Sequence, residues 1–108
     1  MHKVIDGRRY NTETARVVLD VDNNMHRHDF HYRSWTLYQT KGGAFFLHHY
    51  GGALTDMAIP CGSNGRGAGE EIEPLSPHDA RLFLERHSDR REAMDSLEQL
   101  FGDAITDG

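Results

Sequence analysis

Ser34-Trp35-Thr36-Leu37-Tyr38-Gln39-Thr40-Lys41-Gly42-Gly43-Ala44-Phe45-Phe46-Leu47-His48-His49-Tyr50 sets two aromatic-rich runs on either side of Lys41-Gly42-Gly43, the pattern of a β-hairpin. A three-residue loop closes such a hairpin when its last residue is left-handed, a conformation that Gly43 adopts without steric cost. Thr40 then faces Ala44, and pairing proceeds outward. Because side chains alternate across a strand, Trp35, Leu37, Phe45 and Leu47 share one face, and Tyr38, Phe46, His48 and Tyr50 share the other. Neither face is polar throughout, so both require cover.

Upstream, His2 to Asp6 reads as a short first strand with Gly7 as a turn, followed by a segment at 10–15 rich in side chains that bond local backbone. Arg16 to Val21 is β-branched enough for a second strand, against a competing helical turn opening near Thr12. Residues 25–33 are polar and unperiodic and lead into the hairpin. Downstream, 51–71 holds six glycines and reads as a Gly-rich loop. Glu70 to Leu75 suits an edge strand, because Pro74 cannot donate to a central ladder. Ser76-Pro77-His78-Asp79 is a helix start, with Ser76 capping, Pro77 in the first turn and Asp79 at the positive end. Ala80, Phe83, Leu84 and His87 then form one buried stripe. Ser88-Asp89 would cap a second helix with Ala93, Leu97, Leu100 and Phe101 inward, stopped at Gly102. Strands first and helices last indicate an α+β fold in one domain, 1–108: an antiparallel sheet of about four strands with two C-terminal helices on one face. Residues 1–50 are mostly β, 51–71 the loop, and 72–102 a short strand and the two helices.

The 108 residues carry 12 Lys/Arg against 17 Asp/Glu, a formal net charge of -5. The imbalance is local: residues 1–50 have seven basic against five acidic side chains (+2), and 51–108 have five against twelve (-7). An acidic chain argues against direct nucleic-acid binding, which needs Lys/Arg to neutralise phosphates, and is compatible with a basic partner. No apolar run approaches the ~20 residues of a spanning helix, so no membrane association is expected. The single cysteine, Cys61, has no internal partner and fits a reducing cytoplasm.

Eight histidines raise a metal reading. His26-x-His28-Asp29-x-His31 is the densest cluster, and His26, His28 and His48 (or His49) would make a three-ligand set if they converged. Against it, no Cys pair and no His-Glu-x-x-His helix accompany them. Cys61-Gly62-Ser63-Asn64-Gly65-Arg66 has a thiol and an arginine around glycines, but four intervening residues where a phosphatase cradle needs five, and Pro60 before the cysteine. No nucleophile elbow or nucleotide phosphate loop is present. No cofactor and no catalytic residue is therefore expected. Arg90-Arg91 lies early in a helix, where positive charge opposes the dipole.

Three stretches together resemble a group of small proteins carried in bacterial genomes, mobile elements and phages. They are Gly7-x-x-Tyr10-x-Thr12-x-Thr14-Ala15, the Leu37-Tyr38-x-Thr40-Lys41 hairpin, and Pro74-Leu75-Ser76 at the helix start. The shared motifs are a turn, a hairpin and a cap, so the resemblance carries over no catalytic residue. It implies a small protein that binds and blocks a host complex, as anti-CRISPR proteins do with CRISPR effectors. The reading that results is a non-enzymatic, cytoplasmic inhibitor in which acidic side chains occupy a basic nucleic-acid-binding surface and aromatic residues anchor the contact. Trp35, Tyr38 and Tyr50 are the aromatic candidates, although Trp35 suits the core better. Asp89, Glu92, Asp95 and Glu98 are the acidic ones. A metal-dependent hydrolase built on His26, His28 and His31 is the alternative from a different class. A homodimer built through the two-sided hairpin is the third.

Overall fold

The structure, a computed structural model, describes residues 1–108. Its centre is a four-stranded antiparallel sheet in the order β3 (Arg16–Asp22), β4 (Arg33–Gln39), β5 (Phe45–Gly51) and β8 (Gly69–Leu75). The helices α1 (Pro77–Arg86) and α2 (Arg91–Phe101) follow it in the chain and pack on one face. This is the expected α+β architecture, with β4 and β5 as the two middle strands. Gly43 has φ 93°, the Thr40 N–H donates to the Ala44 carbonyl at 2.8 Å, and Leu37 faces Leu47 across the ladder. The hairpin therefore sorts its side chains onto two faces as its alternation requires.

The first face carries the main core. Leu19, Val21, Leu37, Phe45 and Leu47 meet Ala80, Phe83, Leu84, Ala93 and Leu97 from the helices, and Trp35, Leu75, Leu100 and Phe101 close its margin. Val18 joins them because the β3–β4 register shifts between Val17 and Leu19, a bulge that turns one extra side chain inward. The Ser96 hydroxyl of α2 donates to the carbonyl of Val18 at 3.4 Å, which ties the helix to the bulged edge strand. Ser76 caps α1 by accepting from the Asp79 N–H at 3.1 Å, as the sequence predicts. The expected Ser88-Asp89 cap is corrected: Arg90 is the residue before α2, and its side chain makes no cap bond. α2 does stop at Gly102, as expected, although with a right-handed φ of -54° and a short 3₁₀ turn following.

The opposite face is covered by a two-stranded ribbon where the sequence predicts one strand and a turn. β1 (His2–Ile5) and β2 (Arg8–Asn11) form a separate antiparallel ribbon, closed by Asp6 and Gly7 with φ of 52° and 77°. Positive φ at both central residues is the hairpin turn that matches strand twist. The ribbon lays Tyr10 on Phe46 and Ile72, with Ile5, Ala15, Tyr38 and Ala44 around them. Residues 51–71 are likewise not structureless: Ile59–Cys61 (β6) pairs with Gly65–Gly67 (β7) in a second small ribbon. The chain before it crosses close over the sheet end, where a Cβ on Gly69 would meet the Met57 carbonyl oxygen. No helix is long and apolar enough to cross a membrane.

Candidate functional site

The loops at the Arg33 end of β4 are pinned by that arginine. Its side chain is 8% exposed, yet every branch of the guanidinium has an acceptor. Nε donates to Asp56 Oδ1 at 2.8 Å, Nη1 to the Ser34 carbonyl at 2.8 Å, and Nη2 to His49 Nδ1 at 2.8 Å. An arginine only donates, so His49 Nδ1 must accept and the ring proton sits on Nε2. That proton goes to Glu73 Oε1 at 2.8 Å. Both nitrogens of His49 are thus committed. The Arg33 hydrogen bond holds the Asp56 carboxyl below its ordinary value, against a smaller opposing effect of burial. The guanidinium also lies 4.5 Å from the Trp35 ring centroid, within stacking range.

Beyond Trp35 the junction of α1 and α2 stands off the sheet and leaves a cleft of about 560 Å³. Val21, Trp35, Leu47 and Phe83 supply its apolar lining, and Asp22, His49, Glu73, Arg86, His87, Asp89 and Arg90 its polar rim. No Ser, Thr, Cys or Lys lines it. His87, at the end of α1, rests 4.9 Å from the Phe83 ring, and its pKa is lowered first by burial and then by Arg90 and Arg86. It therefore favours the neutral imidazole.

On the other face, the part of the sheet left open by the β1–β2 ribbon forms a second cleft of about 280 Å³. Tyr32, Tyr38 and Tyr50 line it, with His48 and Glu70 paired at 2.8 Å on one side and Asp20 accepting from Thr36 Oγ1 at 2.9 Å on the other. Burial, then the nearby Asp20, raises the Tyr38 pKa and keeps the phenol protonated. Arg27, from the loop before β4, sits over this aromatic pair, 6.0 Å from the Tyr32 centroid and 5.6 Å from that of Tyr50.

The sequence-derived candidates thus divide among three surfaces. Trp35 and Asp89 border the helix-side cleft, whereas Tyr38 and Tyr50 lie on the opposite face. Asp89, Glu92, Asp95 and Glu98 are all exposed. None of these four carboxylates makes an ion pair within the chain. Helical spacing of three places Glu92, Asp95 and Glu98 on one outward stripe of α2, away from Ala93 and Leu97.

The imidazoles of His26, His28 and His48 do not gather into a ligand set. The His26 and His28 rings lie 5.4 Å apart, tilted by 41°, His31 bonds Asp29 at 3.3 Å, and His48 is held by Glu70. No group of three or more His, Cys, Asp or Glu is placed to hold a metal ion. Cys61 is exposed at the turn end of β6, and Arg66 stands across the ribbon from Pro60. The 61–66 stretch is a ribbon turn.

Arg33, Arg27 and the two His–Glu pairs were not singled out by sequence reasoning. The available signal was the alternation of His48-His49 against Glu70, Glu71 and Glu73. Once β5 and β8 pair with His48 opposite Ile72 and His49 opposite Glu71, each histidine gains a diagonal glutamate on its own face. No protein-family model, curated protein or solved structure matches the chain.

Proposed function

We propose that this chain is a non-enzymatic binding protein that occupies a basic, nucleic-acid-binding surface of a host complex such as a CRISPR effector, and so acts as an inhibitor. The observation that carries the reading is the outward stripe of α2, where Glu92, Asp95 and Glu98 are exposed and unpaired in the chain itself. A carboxylate already neutralised by its own protein has little to offer a cationic partner, and these three are not. Arg91 shares the exposed side of the helix and reduces the stripe to a net -2, which still favours a cation. The stripe sits on a helix anchored by Ala93 and Leu97, so it reaches a partner as a rigid element with little ordering cost.

The test is a Glu92→Lys/Asp95→Lys variant measured against the partner that co-purifies from the native host. A charge pair at contact distance contributes about 1 kcal/mol in water, so reversing two should weaken binding about tenfold or more at low salt. The loss should shrink as salt rises. Binding that is unaffected by the reversal would remove α2 from the interface.

A further inference from the structure

We infer that the cleft on the open face of the sheet receives an arginine side chain of the partner, and that the chain's own Arg27 holds its place there. The inference rests on the reading of the partner as basic, and it adds the side chain recognised and where.

Three observations converge on a flat cation. Tyr32 and Tyr50 present rings with centroids 6.0 Å apart, and Arg27 already lies over both at distances where a guanidinium is attracted by the ring quadrupole. The carboxylates of Asp20 and Glu70 flank the same cleft; Thr36 and His48 each take one oxygen, and the other oxygen of each carboxylate has no partner in the chain, so the aromatic floor is still bordered by acceptors for a cation. A planar guanidinium suits both at once, stacking its face and aiming its N–H edges at carboxylate oxygens. With Arg27 in place the cleft still holds about 280 Å³, so the approach is not closed.

Arg27 is the replaceable occupant. It is exposed, it belongs to a loop between β3 and β4, and no carboxylate holds it. The loop's bonds come from elsewhere: Tyr32 N–H to the Asp29 carbonyl at 3.0 Å, and the Asn23 amide to the His31 carbonyl at 2.8 Å. Arg33 makes the contrast, since it also stacks on an aromatic ring but is locked by Asp56, His49 and two carbonyls. One arginine is built in, and the other rests on its rings alone.

The experiment titrates N-acetyl-arginine amide, and separately its lysine counterpart, into wild-type protein and into Arg27→Ala while following the tyrosine ring resonances by NMR. Arg27→Ala should bind the arginine probe about tenfold more tightly than wild type, with shifts at Tyr32 and Tyr50 and none at the Trp35 indole. In the Arg27→Ala background, Tyr50→Phe should keep that response and Tyr50→Leu should lose it, with an unchanged Trp35 signal reporting an intact fold. Equal response to the lysine probe, or no tyrosine shift in Arg27→Ala, would overturn the inference. The Glu92→Lys/Asp95→Lys protein should retain the tyrosine response, which separates failure of this cleft from failure of the α2 interface.

Discussion

Replacing Phe46 by alanine is expected to cost about 3–5 kcal/mol of the roughly 5–15 kcal/mol that holds a domain of this kind folded. Phe46 has no exposed surface. Its ring is stacked on Tyr38 at 5.0 Å with planes 6° apart, and Tyr10 meets it edge-on at 5.5 Å and 67°. The core on this face has only three buried members, Tyr10, Phe46 and Ile72, so little is at hand to fill the space left behind. The β1–β2 ribbon docks on the sheet through Tyr10 and Ile5, which pack on Phe46 and Ile72. Denaturant titration should show the loss, and amide exchange should place it, with protection falling in His2–Ile5 and Arg8–Asn11 before it falls in the helices. A loss below about 1 kcal/mol, or uniform loss of protection, would show that Tyr10 docks by other contacts.

Arg33→Met should cost about 3 kcal/mol although methionine fills much of the stem's volume. The guanidinium alone satisfies His49 Nδ1 and bonds the Ser34 and Tyr50 carbonyls, and its loss leaves the largely buried His49 acceptor without a protein partner. Little of the cost comes from the ion pair, because Asp56 is 68% exposed and would be hydrated by solvent. The pH dependence separates the two parts. Asp56 has a lowered pKa in the fold, so its contribution is present above the ordinary value of 3.8 and is lost as pH falls through the folded value. In Arg33→Met that acid-dependent part should vanish while the pH-independent loss remains. Stability equal to wild type at neutral pH would contradict the role assigned to Arg33.

What the sequence made legible was local. Lys41-Gly42-Gly43 closes a hairpin through backbone freedom at a single residue, alternation from there assigns both faces, and Ser76-Pro77 starts a helix by its own chemistry. The β1–β2 ribbon was harder to read. Asp6-Gly7 is itself a two-residue hairpin signal, but the returning strand, Arg8–Asn11, offers one apolar side chain, Tyr10, among polar ones. β6 and β7 have three residues each and almost no burial, so there was no periodicity to find. The α2 start fell two residues late because local capping chemistry at Ser88 lost to packing of Ala93 and Leu97.

The site divides in the same way. Exposure of Glu92, Asp95 and Glu98 follows from helical period alone. The His48–Glu70 and His49–Glu73 pairs depend on a register between strands more than twenty residues apart, and Arg33 depends on Asp56 across a loop. Such contacts are set by tertiary closure.

Competition at the partner tests occlusion most directly. With the co-purified complex loaded with labelled nucleic acid, addition of the wild-type chain should release the label in proportion to chain bound. The Glu92→Lys/Asp95→Lys variant should release little at the same concentration. A stable ternary assembly, with chain and nucleic acid held on the partner together, would contradict occlusion.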